Sequence, residues 1–222
     1  MSVKRWSMYM MLFVSIATCK VNAQQHLDPE YIKVTNERAS KIVEKLELSN
    51  PEKEQAVTTI IAQQYRNLSK IHDERDSKIE AVKNSDLSKD QQSKEIGKLK
   101  SKADKLVSKL HKSYLKSLNK QLSEDKVSGV KDGMTYGVLP LTYAGYLDML
   151  PNLTEKQKKM IYDNLIEARE HAIDGGSSKE KHAWFGKFKG RINNNLSADG
   201  YDLHKESKDW HERVKKREKN KL

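Results

Sequence analysis

The residues best suited to ligand chemistry lie between positions 174 and 201. Aromatic rings stack on the apolar C–H faces of sugars, while amides, carboxylates, Lys and Arg bond hydroxyl groups or neutralise acidic substituents. Trp184 and Tyr201 supply rings, and a run of three asparagines begins at Asn193. We therefore predict noncatalytic carbohydrate binding, with acidic glycans among the ligands. The predicted ligand-binding residues are His182, Trp184, Lys187, Arg191, Asn193, Asp199 and Tyr201.

The same stretch also allows a packing interpretation. Four apolar residues are spaced four apart and would form one stripe on a helix; they are Trp184, Phe188, Ile192 and Leu196. Phe185 is expected on a flanking face with His182 and Asn193. In this interpretation Trp184 belongs to the core and the asparagines cap the helix before Gly200. The spacing alone leaves both interpretations open.

The histidines do not form a recognisable metal-binding motif. His171 and Asp174 share a helix face, and His182 follows them beyond a glycine turn. His204 and His211 are seven residues apart and also share a face. Neither arrangement reproduces a ligand pattern such as His-Glu-x-x-His. We predict no metal site and no cofactor.

Acidic residues surround the candidate site, but no spacing selects a catalytic pair. Glycoside hydrolysis requires two carboxylates that face each other across a cleft. The available carboxylates are Glu167, Glu170, Asp174, Glu180, Asp199 and Asp202. Elimination on an acidic sugar would instead use His182 or Tyr201 as base, with Arg191 neutralising the substrate carboxylate. No catalytic residue is predicted, and a glycan-active enzyme remains an alternative.

Helical periodicity extends over most of the chain. Apolar residues recur every three or four positions, and Asp28 before Pro29 is a typical helix start, as is Ser49 or Asn50 before Pro51. A third helix is expected after Leu87, and the second and third should each be about 30 residues long. The predicted fold is all-α, with long antiparallel helices in a helical bundle.

The candidate site is expected on a helix that starts near Ser178. Gly175 and Gly176 can end the preceding helix, because glycine tolerates left-handed backbone. Ser177 and Glu180 then have the spacing of a capping box. After Tyr201 a final charged helix is expected, followed by a frayed basic tail, KKREKNKL.

A Tyr- and Gly-rich connector, residues 128–151, interrupts the long helices. Its four glycines and Pro140 favour short helices and turns over one long helix. The tyrosines Tyr136, Tyr143 and Tyr146 allow two interpretations. They can form a buried aromatic plug, as large aromatic side chains usually do, or a stacking platform at the mouth of a binding site.

A short motif recurs at helix starts, as Leu87-Ser88-x-x-Gln91 and Leu153-Thr154-x-x-Gln157, with Leu48-Ser49-x-x-Glu52 as a looser copy. Serine or threonine followed three residues later by Gln or Glu is a capping box. The motif also resembles the Leu-Thr-x-x-Gln repeats of Spy-like periplasmic chaperones. That resemblance implies an alternative function, in which a basic surface holds unfolded chains.

The N-terminus has the pattern of a secretory signal peptide, residues 1–23. Lys4 and Arg5 precede an apolar run, and a small-residue cleavage site ends at Ala23. The apolar run is too short to span a membrane. Acylation at Cys19 would instead give a lipoprotein, but Thr18 is a poor residue before a lipidated cysteine. We expect a periplasmic or secreted protein.

Cleavage near Ala23 would leave one helical domain, residues 24–222, without any cysteine. Disulfides, thiolate metal sites and a cysteine nucleophile would then be excluded. Three basic residues and no acidic ones are removed, so the net charge falls from +11 to +8. An exported protein seldom meets nucleic acid, so we predict no nucleic-acid partner.

Three segments of the sequence resemble a known family. They are KDGMTYGVLP (131–140), GGSSKEKHAWFGKFKGRIN (175–193) and GYD (200–202). Together they are similar to the bacterial exported family catalogued as domain of unknown function 3826. The resemblance implies a helical fold, an envelope location and a sugar-binding role. It supplies no catalytic residues, and it implies a ligand role for His182, Trp184, Lys187, Arg191 and Asn193.

Overall fold

The structure, a computed structural model, describes residues 28–219. Within that range the chain forms eight α-helices and no strand, which confirms the all-α class. The helices are α1 (Pro29–Glu44), α2 (Pro51–Lys83), α3 (Lys89–Asn119), α4 (Glu124–Met134), α5 (Val138–Met149), α6 (Glu155–Ala172), α7 (Ser178–Ala198) and α8 (Leu203–Lys219). The predicted lengths of the second and third helices are confirmed, at 33 and 31 residues.

Local capping explains where most of the helices begin. Asp28 accepts a bond from the Glu30 amide at 3.0 Å, and Asn50 accepts one from the Lys53 amide at 2.9 Å. The looser box predicted at Ser49 is therefore wrong, because Asn50 is the cap and Pro51 follows it directly.

Two of the predicted capping boxes are confirmed. Ser88 with Gln91, and Thr154 with Gln157, each satisfy both backbone donors. The Leu-Ser and Leu-Thr motif is thus accounted for by helix capping at these two sites.

The first core lies where the hairpin of α2 and α3 meets α1 and α4. Two glycines of α4 allow close contact with α1 and with Leu46, which follows it. A Cβ atom at Gly133 would lie 2.8 Å from Ile42 Cγ2, and one at Gly129 would lie 2.8 Å from Leu46 Cδ2. The buried members of this core are Ala39, Ile42, Val43, Leu46, Val57, Ile61, Ala62, Tyr114, Leu118, Leu122, Val127, Val130, Met134 and Ile173.

The second core is formed mainly by α5, α6 and α7. It buries Leu139, Tyr146, Leu150, Leu153, Ile161, Leu165, Ala168, Ala172, Phe185, Phe188, Ile192 and Leu196. The neighbouring residues Ala172 and Ile173 belong to different cores, so the end of α6 is where the two cores meet. Arg169 ties α6 to α4 near this point, with bonds to Ser128 Oγ at 2.9 Å and Asp132 Oδ1 at 2.8 Å.

The Tyr- and Gly-rich connector consists mostly of helices α4 and α5. They meet at Tyr136 and Gly137, whose φ angles of 60° and 68° are left-handed. Tyr146 is buried in the second core, which supports the plug interpretation for this residue. Tyr136 is exposed and Tyr143 is half-buried.

The chain ends lie partly outside the described residues. The predicted signal peptide, with Cys19 and the cleavage site at Ala23, falls outside them. The basic tail was predicted to leave the helix, but α8 includes residues 215–219. No helix within residues 28–219 is long and apolar enough to cross a membrane.

Candidate functional site

A cleft of about 820 Å³ opens between α2, α3 and the junction of α6 with α7. Three helical segments that are distant in sequence supply its walls. The lining residues are His72, Arg75, Asp104, Val107, Ser108, His111, Glu170, His171, Asp174, Gly175, Glu180, Ala183, Trp184 and Lys187. The walls therefore combine an aromatic and aliphatic surface with carboxylates, cations and imidazoles.

The turn between α6 and α7 is fixed by hydrogen bonds from both sides. Ser177 accepts from the Glu180 amide at 3.1 Å, while Glu180 accepts from the Gly176 amide at 2.7 Å. The predicted helix start at Ser178 is confirmed, although Glu180 bonds Gly176 instead of the cap residue. Gly176 is required here, because a Cβ atom would lie 2.6 Å from His72 Cγ.

Lys181 caps the C-terminal end of α6 next to this turn. Its buried ammonium donates to the carbonyls of Ala172 and Ile173, at 3.1 and 3.0 Å. Burial lowers the pKa of Lys181 to about 8, and the nearby Asp174 and Glu180 oppose the shift. A cation at a helix C-terminus also complements the helix dipole. Lys181 thereby stabilises the backbone of Ala172 and Ile173, which directly precede Asp174 in the chain.

His72 and Arg75 form the α2 wall of the cleft. His72 Nε2 lies 2.8 Å from the Asp174 carbonyl oxygen, and Arg75 Nη1 lies 2.9 Å from His72 Nδ1. Arg75 can only donate and the Asp174 carbonyl can only accept. These two hydrogen bonds therefore assign the ring proton of His72 to Nε2. Arg75 also bonds Asp76 and reaches Glu180 at 3.3 Å. The α2 wall is thus tied to the α6–α7 turn.

His111 from α3 and Asp174 from the turn form the central polar contact. His111 Nδ1 lies 2.8 Å from Asp174 Oδ2. The bond to Asp174 raises the pKa of His111, with Glu170 adding to the shift and burial and Lys131 opposing it. Asp174 Oδ1 is buried and has no hydrogen-bond partner among residues 28–219. The carboxylate therefore retains unused acceptor capacity beside the cleft.

Trp184 provides the aromatic wall. Its ring stacks on the His171 imidazole, with centroids 4.3 Å apart and planes 14° from parallel. The Lys187 ammonium lies 5.0 Å from the centroid of the indole ring, within the range of cation–π contacts. Trp184 is half-buried, so it lies at the edge of the second core and not within it.

The predicted site residues are not brought together in one place. Trp184 and Lys187 line the cleft. Arg191 lies on the same side of α7 but farther along, over the Phe188 ring at 4.5 Å and paired with Glu167 at 3.3 Å.

The other four predicted site residues make contacts away from the cleft. The His182 ring stacks on Tyr136 at 5.8 Å, and Asn193 accepts a bond from Tyr146 Oη at 2.6 Å. Asp199 accepts from Gln157 at 2.8 Å. Tyr201 Oη lies 3.3 Å from both the Asn152 carbonyl and Gln157 Oε1.

Helical geometry explains this separation. The buried stripe of α7 consists of Lys181, Phe185, Phe188, Ile192 and Leu196, so the predicted flanking position of Phe185 is wrong. Residues on either side of the stripe face opposite directions, because successive residues differ by about 100° around a helix.

Sequence reasoning missed His72, Arg75 and His111, which lie on α2 and α3. A weak signal was present: His72 is four residues after the buried Leu68, and His111 is four after the half-buried Val107. A histidine in register with an apolar stripe faces the interior or its edge. Periodicity alone could not show that both would meet Asp174.

The polar residues of the cleft are not grouped as a metal centre. Within residues 28–219, no three or more His, Cys, Asp or Glu side chains are placed to hold a metal ion. The histidines His72 and His111 contact a carbonyl, an arginine and a carboxylate instead.

The chain belongs to the family described as Protein of unknown function (DUF3826), whose model matches residues 32–216. The match includes all of the cleft residues. No curated protein matches the chain.

Proposed function

We propose that this DUF3826 member binds a carbohydrate in the cleft without converting it. The cleft volume of about 820 Å³ falls within the range of about 300–1,000 Å³ that is typical of small-ligand sites. Val107, Ala183 and Trp184 offer an apolar surface for sugar C–H groups. Donors and acceptors are placed around this surface, as the hydroxyl groups of a sugar require.

The unpartnered carboxylate oxygen of Asp174 is the observation that carries the proposal. An acceptor that is buried without a hydrogen bond is costly, by about 1–3 kcal/mol in general. Asp174 lines the cleft, so a small rotation of its side chain would bring this oxygen to a ligand hydroxyl. The other oxygen of this carboxylate lies 2.8 Å from His111 Nδ1.

The charges of the cleft favour a neutral saccharide in this cleft. Four carboxylates line the cleft, whereas its Arg and Lys side chains are Arg75 and Lys187. Arg75 is already engaged by Asp76 and Glu180. An anionic ligand would have to approach Asp174 and Asp104, whose like charge opposes binding. A neutral, hydroxyl-rich ligand both donates and accepts, and avoids this repulsion.

We propose that this function is carried out in the cell envelope. The sequence pattern of residues 1–23 supports export, and the absence of cysteine after position 23 is compatible with either redox environment.

A glycan-active enzyme is the second candidate, favoured by the contact between His111 and Asp174. A carboxylate that orients an imidazole and raises its pKa is an arrangement used in general acid–base catalysis. Glu170 and Glu180 lie in the same cleft as further carboxylates. His111 and Asp174 would then replace His182 and Tyr201 as the catalytic residues.

Calorimetry of the purified protein against neutral and uronic-acid oligosaccharides separates the candidates. Saturable heat with a neutral oligosaccharide, without new products, would support the binding protein. New products that disappear in His111→Gln would establish the enzyme. The absence of both heat and products for every saccharide would contradict both candidates.

A further inference from the structure

Helix α3 presents a continuous row of lysines on one face. The row, here named the lysine stripe, consists of Lys94, Lys98, Lys102, Lys105, Lys109, Lys112 and Lys116, all exposed. Consecutive members are three or four residues apart, so they fall within an arc of about 80° around the helix. The stripe is about 33 Å long, with one positive charge for roughly every 5 Å of helix.

The stripe is almost free of acidic partners. Lys98 pairs with Glu95. None of the other six makes an ion pair with any residue in the described range 28–219. Like charges three or four positions apart on a helix repel one another and weaken it. Helix stability therefore does not explain this arrangement.

Helix α2 shows that the fold itself does not require such a surface. It is slightly longer than α3 and packs against it, yet it carries six acidic and six basic residues. Helix α3 carries nine lysines and three acidic residues, a net charge of +6. A mixed surface such as that of α2 is enough for solubility. The excess charge is concentrated on one helix of the pair.

One end of the stripe leads to the cleft. A shallow groove of about 740 Å³ is bounded by His111, Lys112, Leu115, Lys116, Asn119 and Lys120. His111 lines this groove and the cleft. The last two lysines of the stripe therefore flank a surface that continues toward the candidate carbohydrate site.

We propose that the lysine stripe binds a linear acidic polysaccharide of the polyuronate class. Such a chain carries one carboxylate on each sugar ring, and its extended form matches a straight row of cations. This inference rests on the charges of α3 and does not depend on the proposed cleft function. It assigns acidic glycans to a surface separate from the carboxylate-rich cleft.

Two other polyanionic partners fit the stripe less well. Single-stranded nucleic acid is usually bound by cations interleaved with stacking aromatic residues. The aromatic side chains of α3 are His111, which faces the cleft, and Tyr114, which is buried in the first core. An amphipathic helix binds a membrane with its apolar face, but α3 buries Ala103, Tyr114 and Leu118 within the bundle.

The test compares two triple variants with the same loss of charge. In the first, Lys102→Gln, Lys105→Gln and Lys109→Gln interrupt the stripe. In the control, Lys208→Gln, Lys215→Gln and Lys216→Gln remove three exposed lysines from α8. Circular dichroism checks whether both variants keep their helices. Binding to polygalacturonate is measured at low salt, with a neutral linear galactan, anionic phosphatidylglycerol vesicles and a single-stranded oligonucleotide for comparison.

We expect the stripe variant to bind polygalacturonate about tenfold more weakly, since each exposed charge contact contributes a few-fold. The α8 variant should change by less than threefold, and rising salt should weaken wild-type binding steeply. Trp184→Ala should leave the affinity for polygalacturonate unchanged, because Trp184 lies in the cleft and not on the stripe. Failure of the cleft proposal can therefore be distinguished from failure of the stripe proposal. Equal losses in both triple variants, no binding to polygalacturonate, or tighter binding to oligonucleotide or vesicles would overturn the inference.

Discussion

The two flanks of helix α7 contain similar residue types but make different contacts. The cleft flank carries Trp184 and Lys187, which face α3 and the α6–α7 turn. The connector flank carries His182 and Asn193, which contact the tyrosines Tyr136 and Tyr146. Both flanks present an aromatic or imidazole ring beside a polar group.

The difference lies in how completely the contacts of each flank are satisfied. On the connector flank, Asn193 already accepts a short bond from Tyr146. On the cleft flank, Lys187 has no ion pair within residues 28–219, and the facing Asp174 keeps an unpartnered oxygen. Residue type alone does not distinguish a ligand site from a structural contact. The satisfaction of hydrogen bonds does.

The largest effect is expected from the buried stripe that separates the flanks. Phe188 is almost fully buried between Trp184 and Arg191. Phe188→Ala should lower the free energy of unfolding by about 3–5 kcal/mol, because it leaves a cavity in the second core. Urea denaturation followed by circular dichroism measures this change.

The matched control is the exposed neighbour, Lys189→Ala. It should change the stability by less than about 0.5 kcal/mol, as surface substitutions usually do. A loss below about 1 kcal/mol in Phe188→Ala would show that α7 is not held by this stripe.

The next largest effect concerns ligand affinity on the cleft flank. Asp174→Asn replaces an acceptor oxygen and removes the charge that faces His111. We expect the affinity for a carbohydrate to fall at least about tenfold, a change of 1.4 kcal/mol in binding free energy. Calorimetry measures it. Asp199→Asn, at the far end of α7, is the control and should retain wild-type affinity.

A smaller effect is expected on the connector flank. Tyr146→Phe removes the hydroxyl group that donates to Asn193 and leaves the ring in the core. The stability should fall by about 1 kcal/mol, which is typical of one hydrogen bond. Carbohydrate affinity should not change. A loss of affinity equal to that of Asp174→Asn would show that the two flanks act as one site.

The smallest effect is a pH dependence of stability from His111. Its pKa is raised in the folded protein, so its stabilising contribution is complete below the unfolded pKa of about 6.5. That contribution is lost as the pH rises through the higher folded pKa. His111 is half-buried and Asp174, Glu170 and Lys131 surround it, so we expect less than about 1 kcal/mol between pH 6 and 8.

Denaturation curves at pH 6 and pH 8 for wild type, His111→Gln and Asp174→Asn test this. Both variants should show a smaller decrease in stability with pH than the wild type. An unchanged decrease in both would mean that the contact between His111 and Asp174 does not contribute to the pH dependence.

Local chemistry made most of the fold predictable. Asp28, Asn50, Ser88 and Thr154 cap helices through bonds to residues two or three positions away, so short sequence patterns contain that information. The apolar stripes, which repeat every three or four residues, are likewise local patterns, and they predicted the helical bundle. The buried position of Phe185 was missed because both spacings of four and spacings of three are compatible with a helical stripe. Phe188 can therefore be joined to Trp184 or to Phe185.

The site was only partly predictable because its partners are distant in sequence. Trp184 and Lys187 were identified from residue type. His111 is separated from Asp174 by more than 60 residues, and His72 by more than 100. These contacts depend on how the hairpin of α2 and α3 packs against the α6–α7 turn. No local pattern in α7 encodes that packing.

The most direct test of the central claim compares Trp184→Ala with Asn193→Ala by calorimetry against neutral oligosaccharides. Both positions are on α7, one on each flank. We predict that Trp184→Ala lowers the affinity at least about tenfold while the helical circular dichroism is unchanged. Asn193→Ala should lower it less than twofold. Wild-type affinity in Trp184→Ala, or an equal loss in Asn193→Ala, would contradict the assignment of the cleft flank as the ligand site.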